Sequence, residues 1–275
     1  MIEQSRNDLR FFESELLAPH PQVEAVVSTR RGGVSTGAFA SLNLGGKTAD
    51  APDNVRENRR RVAALFGRNA TQLTFARQVH GAHIAHVPAG HPGGAFDNVD
   101  ALITDAKDTP LVILTADCAA IFMYDVTHHA IGIAHAGWRG TVAQIAAHTV
   151  QRMHAVFGTE PREIVACVGP SIGPCCYEVG EEVIAAVIDA FPDDTDELLL
   201  EPEMASAGSF RASVNEDHKH FDLWRANERV LISAGVPDTQ VEVSRLCTAC
   251  HTDLFYSHRA EKGVTGRFGG VMMLR

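Results

Sequence analysis

The sequence predicts an α+β protein, and three observations carry that prediction. Short strand-like runs recur along most of the chain, while only a few stretches show helical spacing with recognisable ends. Between residues 100 and 136 the strand-like runs follow one another across turns too short for helical crossovers, so their pairing must be antiparallel or mixed. The 275 residues, 45% hydrophobic and 21% charged, suffice for a large core as one big domain or two smaller ones, and they are read as one domain spanning 1–275.

VEAVVST (residues 23–29) opens the series as a strand. APDNVRENRRRVAALFG (51–67) reads as a helix, because Pro52 fits a first turn and Gly67 fits the position past the end. Val55, Val62 and Phe66 share one stripe of it. Arg59 sits on the same stripe, where an arginine must find an ion-pair partner or direct its guanidinium into an anion-binding cleft. LTFARQV (73–79) is strand-like, with Leu73, Phe75 and Val79 opposite the face of Gln78 and His80, and it closes at His80 before a glycine turn. DALIT (100–104), PLVILTAD (110–117), AIFMYD (120–125) and HAIGIAHAG (129–137) follow as buried strands. In the last of these, Ile131 and Ile133 alternate with small residues that allow close backbone approach.

TVAQIAAHTVQRMHAVFG (141–158) is a scaffold helix with Val142, Ile145, Thr149, Met153 and Val156 inward and Gly158 at its end. EIVACVG (163–169) is again a strand. FPDDTDE and the residues after it, roughly 191 to 220, are acidic and poor in apolar side chains, which predicts a long surface loop. DLWRANERVLISAG (222–235) is a helix capped by Asp222 and terminated by Gly235, followed by strand-like VEVSRL and GGVMML.

Charge and composition narrow the function. A net charge of −10 argues against nucleic acid or an anionic membrane as principal partner, so any phosphate site must be local. The first residues lack an apolar signal region and no run of membrane-spanning length occurs, which predicts a cytoplasmic protein; the expected partner is a small molecule and the expected state a monomer or small homo-oligomer, neither of them read from composition. Six cysteines, two of them adjacent at Cys175 and Cys176, do not form a disulfide pattern and are expected to be reduced thiols. Cys247, Cys250 and His251 in CTACH are assigned a structural role, since no second pair of similar form exists. His83, His86, His128 and His129 are read as non-functional.

Three metal-ligand residue types close three of the strand-like runs: His80 after ARQV, Cys118 after LVILTAD, and His135 in IAHAGWRG. Strand ends carry chemistry, although a histidine there can also be a packed core residue. Two imidazoles and one thiolate make a three-ligand zinc site with a fourth position open. Their spacing matches no compact zinc motif.

STRRGGVSTGAFASLNLG, ENRRRV, QVHG, TADC, HAGWRG, GPSIGPCCYEVG and CTACHTDLFYSHRAEKGVTGR together, in order from about residue 26 to the end, resemble the bacterial YfiH-type family. That family is known as multicopper polyphenol oxidase or laccase-domain proteins and, more recently, as purine nucleoside phosphorylases. The resemblance implies zinc ligation by His80, Cys118 and His135, with one zinc per chain. It implies a four-layer αββα fold of two mixed sheets, similar to the cytotoxic-necrotizing-factor catalytic domain. For activity it implies phosphorolysis of adenosine, inosine or guanosine with adenosine deamination beside it. Removal of L-serine from the peptidoglycan precursor UDP-MurNAc-L-Ser is the alternative, and copper-dependent polyphenol oxidation a further one. The sequence departs from the family pattern at Ala119 and Ala120, where a proline is frequent, at Ala260 after Arg259, where a second arginine is common, and at Lys47, where histidine is common.

Zinc chemistry suits hydrolysis and deamination, because a zinc-bound water ionises near pH 7. Phosphorolysis also needs a held phosphate, for which Arg59 and Arg30 are the candidates, with Asn43 as a ribose or phosphate contact. Arg139 and Arg259 complete the expected substrate contacts, and Trp138 is expected to wall the pocket. Cys118 as a nucleophile activated by His135 is the alternative to Cys118 as ligand. Multicopper oxidation fits poorly, since it calls for more histidine and cysteine ligands than this cluster offers.

Overall fold

The structure is a computed structural model that describes residues 1–201 and 219–275. The chain begins with β1 (Ile2–Arg6), β2 (Leu9–Glu13) and β3 (Val23–Ser28), then α1 (Pro52–Leu65), β4 (Thr74–Arg77), β5 (Ile84–His86), β6 (Gly94–Asp97) and β7 (Ala101–Thr104). It continues with β8 (Leu111–Thr115), β9 (Ala119–Asp125), β10 (Ala130–Ala136), α2 (Trp138–Val142), α3 (Ile145–Phe157) and β11 (Ile164–Val168). Last come β12 (Glu178–Val179), α4 (Glu181–Ala190), α5 (Thr195–Leu198), β13 (Leu199–Leu200), β14 (Lys219–Phe221), then α6 (Leu223–Ser233), β15 (Val241–Val243) and β16 (Phe268–Leu274).

Two large sheets result, in the orders β1-β2-β3-β16-β8-β4-β6 and β15-β11-β9-β10-β7-β5. Both are mixed. In the first, β4 pairs parallel to β8 and β6 while the other ladders are antiparallel. In the second, β11–β15 and β5–β7 are parallel and the centre is antiparallel. Of β7 to β10, only β9 and β10 pair across a short turn; β8 crosses to the other sheet and β7 lies antiparallel to β10.

The period-2 alternation of strand side chains sorts the apolar residues into layers. Phe122, Tyr124, Ile131 and Ile133 of the second sheet meet Val27, Ile113, Phe268 and Met272 of the first. Their neighbours Ile121, Met123 and Ala134 face outward onto Ile145 and Met153 of α3 and Val230 of α6. On the far side, Val26, Val112, Val271 and Met273 receive Val62, Ala63 and Leu65 of α1. The order is therefore helix, sheet, sheet, helix, the four-layer arrangement that the resemblance implied. Each fully buried Ile, Leu or Met in these layers contributes about 1.5–3 kcal/mol relative to exposure. The sheets approach closely at Gly270, where a Cβ would fall 2.8 Å from that of Ala120.

Several local expectations are corrected. The helix read over 141–158 is two helices, because Gln144 takes a left-handed conformation (φ 57°) that turns the chain between α2 and α3. Ile145, Thr149 and Met153 are buried as expected, with Val142 and Val156 only half-buried. The strand read over 73–79 stops at Arg77, and Val79 is 50% exposed. Of the long loop read over 191–220, residues 202–218 lie outside the described residues, while α5, β13 and β14 stand in its flanks. The N-terminal hairpin of β1 and β2 is an addition: Asn7 and Asp8 both adopt positive φ, as a two-residue primed turn needs. The expected caps of α6 hold, with Asp222 accepting the Arg225 amide at 3.0 Å and Gly235 at φ 94°. No helix among the described residues is long and apolar enough to cross a membrane.

Candidate active site

The two sheets bring three chain segments to one place. β4 ends at Arg77, and its continuation is held not by ladder bonds but by the Gln78 side chain, which donates to the Leu114 carbonyl at 2.7 Å and accepts the Leu114 amide at 3.0 Å. The following turn carries His80. The connection from β8 to β9 carries Cys118, and β10 carries His135, opposite Ala120 of β9. One donor atom from each of His80, Cys118 and His135 lies within 4.8 Å of the others. The two imidazoles meet edge to face at a centroid distance of 4.9 Å.

Asp100 fixes this arrangement. Its buried carboxylate accepts the amides of Val79 at 3.1 Å, His80 at 2.9 Å and Gly81 at 2.8 Å, and faces His135 Nδ1 at 3.0 Å. His80 sits at φ 61°, a left-handed conformation that costs a non-glycine residue about 1 kcal/mol; the three amide bonds to one carboxylate hold it there. With Nδ1–H given to Asp100, Nε2 is the ring nitrogen of His135 left to face a ligand. Burial pushes the Asp100 carboxyl up, but His135 and the amides of Gly81 and Val79 outweigh it and hold it below the ordinary value.

Cys118 and His135 polarise each other. Burial alone would raise the thiol, yet the His135 charge and hydrogen bonds from His135 and His80 bring it down to about 6. Burial likewise opposes the His135 cation, but the Cys118 thiolate and Asp100 raise it to about 9. The sulfur is therefore held as thiolate, the form that binds a metal and also the form that attacks as a nucleophile. Gly137 of HAGWRG leaves room for it: a Cβ there would stand 2.7 Å from Cys118 Sγ. Two imidazoles and a thiolate fit a tetrahedral, borderline-soft ion with one position open.

The three residues line a cavity of 1010 Å³ that also receives Lys47, Arg59, Arg259 and Arg267. In a chain of net charge −10 this is a local concentration of positive charge. Arg59 gives Nε and Nη2 to the Leu44 carbonyl at 2.9 and 2.8 Å and lies 4.4 Å over the Phe75 ring. Among the described residues it has no carboxylate partner, so the ion-pair reading of its place on the helix stripe does not hold. Arg259 gives Nη1 to the Glu178 carbonyl at 2.9 Å and stands 5.4 Å from the Tyr177 ring. Asp117, the carboxylate beside Cys118, is taken by Thr248 Oγ1 at 2.6 Å and the Arg259 amide at 2.7 Å.

Other sequence candidates fall elsewhere. Arg30 is framework: it donates to Ala40 and Thr252 carbonyls, pairs with Glu261 at 3.0 Å and covers Tyr256, outside the cavity lining. Asn43 is fully buried and holds its own loop together through Thr48, Asp50, Gly45 and Arg267. Arg139 does hold a carboxylate, Glu182 at 2.9 Å, and stacks at 4.1 Å on Trp138, but neither it nor Trp138 lines the cavity. Asp125 uses its carboxylate to accept the amides of Thr127 and His128 and to face the His128 ring, which stabilises that turn. Asp100 and Arg267 were missed. Asp100 gave one signal, an acidic residue at the mouth of the apolar run ALIT, which burial forces to find several partners; Arg267 gave none, as a lone arginine before a glycine-rich strand.

Residues 24–275 match the family described as multi-copper polyphenol oxidoreductase laccase. The chain belongs to this laccase family. It is 36% identical over 256 residues to purine nucleoside phosphorylase YlmD of Geobacillus stearothermophilus, covering 90% of this chain and 89% of that one. It is 32% identical over 257 residues to adenosine deaminase RL5 from an unknown prokaryotic organism, covering 90% and 93%. Among solved structures it is similar to the Bacillus licheniformis hypothetical protein YfiH, with a TM-score of 0.88 at 32% identity over 99% of both chains. The laccase-family name speaks of copper, while the side chains here that could hold an ion in the cavity are two imidazoles and one thiol.

Proposed function

We propose that this protein is a zinc-dependent purine nucleoside phosphorylase of the cytoplasm, cleaving adenosine, inosine or guanosine with phosphate and deaminating adenosine as a side activity. One observation carries the reading: the His80, Cys118 and His135 donors open into the same cavity as Arg59, Arg259, Arg267 and Lys47, so ligand set and anion site share one chamber. The names of the similar proteins, phosphorylase and adenosine deaminase, agree with it.

Zinc is favoured because the donor set is mixed nitrogen and sulfur with three protein ligands, and such an ion supplies Lewis acidity and an ionised water near neutral pH. The chain's residues account for the rest. Arg59, anchored through Leu44, keeps Nη1 without a protein partner among the described residues and can present it to a phosphate oxygen. Phe75 and Tyr177 offer aromatic faces for a purine, each already beside an arginine. His135, held by Asp100 through Nδ1, keeps Nε2 turned to the position an ion would occupy.

A second reading rests on the size of the chamber. At 1010 Å³ it reaches the upper end of ligand pockets and is roomy for a nucleoside with phosphate; this favours keeping the zinc amidase acting on UDP-MurNAc-L-Ser in view. Turnover of adenosine, inosine and that precursor by metal-analysed protein, each with and without phosphate, tests the choice. Phosphate-dependent release of hypoxanthine from inosine supports the phosphorylase; serine release without nucleoside cleavage supports the amidase.

A further inference from the structure

A second convergence of metal-binding side chains lies outside the catalytic ligand set. Cys175 and Cys176 of GPSIGPCCYEVG and Cys247 and Cys250 of CTACH bring four sulfurs within 4.8 Å of one another. Cys250 Sγ stands 3.5 Å from both Cys175 Sγ and Cys176 Sγ, and all four are free thiols. The partner that CTAC lacked in the sequence is thus the adjacent pair Cys175-Cys176, supplied by the fold.

We propose that Cys175, Cys176, Cys247 and Cys250 form a structural zinc site of four thiolates. A tetrahedral ion with Zn–S bonds of about 2.3 Å places its sulfurs roughly 3.8 Å apart; the two separations from Cys250 Sγ are 3.5 Å, and all four sulfurs lie within 4.8 Å. A disulfide needs two sulfurs at about 2.05 Å, whereas these four are unbonded and Cys250 stands equally far from Cys175 and Cys176. The Gly173 amide donates to Cys247 Sγ at 3.3 Å, the backbone N–H to sulfur contact that supports a ligating thiolate. Cys250 is exposed and gives the ion an entry path, while Cys176 and Cys247 are buried. On binding, the four thiol protons pass to solvent and no electron is transferred.

The position gives the site a task. Cys247 bridges to Ser171, the Thr248 amide donates to the Ser171 carbonyl at 3.1 Å, and Thr248 Oγ1 reaches Asp117, the neighbour of Cys118. The same segment carries Ile172 and Tyr177, which line the cavity. An ion on the four sulfurs would clamp segment 171–177 to segment 247–251 and hold this wall of the cavity in place.

Metal analysis of protein produced with added zinc and purified under reductant tests the proposal. About two zinc ions per chain are expected for the wild type and about one for Cys118→Ala, which keeps the four-cysteine site. Cobalt loaded into Cys118→Ala should give an intense near-ultraviolet sulfur-to-metal charge-transfer band that is lost in Cys118→Ala/Cys247→Ser/Cys250→Ser. Should the triple variant not fold, thiol alkylation of zinc-loaded Cys118→Ala provides the reading: Cys250, exposed in the structure, stays unmodified until a chelator is added. Metal-free Cys118→Ala in saturating zinc, or alkylation of Cys250 at the same rate with and without zinc, would overturn the proposal and leave the catalytic ligand assignment standing.

Discussion

Asp100 Oδ1 lies 3.0 Å from His135 Nδ1, and both residues are buried. The same carboxylate holds three consecutive amides of the turn that carries His80. One side chain, on the residue just before β7, therefore orients two of the three proposed ligands, one on β10 and one in the turn after β4. Asp100→Asn should weaken zinc affinity at this site by about 10- to 100-fold, measured by competition with a chromophoric chelator. Unchanged affinity would mean that the imidazole is oriented by packing alone.

Gly137→Ala places a methyl group where Cys118 Sγ now sits, 2.7 Å away, on a backbone whose φ of −81° any residue tolerates. The expected outcome is a folded protein that has lost most zinc at this site and most turnover. Circular dichroism, metal analysis and the inosine assay on the same preparation check it. Full metal content in Gly137→Ala would show that the sulfur has room to move.

Arg59 and Arg30 should behave oppositely. Arg59→Ala is expected to raise the KM for phosphate by about 10- to 100-fold, corresponding to about 1.5–3 kcal/mol for a charge-assisted contact, with adenosine deamination much less affected. Arg30→Ala breaks the pair with Glu261 and two carbonyl contacts; it should cost on the order of 2 kcal/mol of stability and leave the KM for phosphate near the wild-type value. Steady-state kinetics with thermal melts on both variants separates the roles.

Asp50 gives a pH prediction. Burial would push its carboxyl up, but hydrogen bonds from Ser35, Asn43, Asn54 and the Ala51 amide outweigh this and hold it below the ordinary carboxylate value. A carboxyl depressed in the folded state binds its proton more readily when unfolded, so its stabilisation is present above the unfolded value of about 3.9 and fades as the pH falls through the folded value. Asp50→Asn should therefore melt below the wild type at pH 7, and the gap should close as the pH falls below 4. Since Asp50 and Asn43 brace the loop bearing Lys47, a gap independent of pH would assign that bracing to packing.

What the sequence revealed follows from which forces are local. Apolar runs such as LVILT and AIFMYD announce buried strands because burial acts through composition and alternation, and the caps of α6 are read from Asp222 and Gly235 alone. The proposed ligand trio could be singled out because each member lies at or near the end of such a run. Sheet membership was not: nothing in LVILT tells that β8 leaves β7 and β9 to pair with β16 and β4. β1 was missed because all five of its residues are exposed and show no alternation. Arg30 and Asn43 misled because a polar residue beside glycines serves a tight loop as readily as a phosphate. The four-cysteine cluster was hidden because its halves lie far apart in sequence and meet where Ser171 pairs with Cys247.

The central claim is that a metal held by His80, Cys118 and His135 drives phosphorolysis in the cavity they line. Its most direct test is phosphate-dependent hypoxanthine release from inosine by wild type and Cys118→Ala, with zinc measured in the same samples. Release by the wild type that requires phosphate, with both the activity and about one zinc per chain lost in Cys118→Ala, is the result expected. Undiminished zinc and phosphorolysis in Cys118→Ala would contradict it.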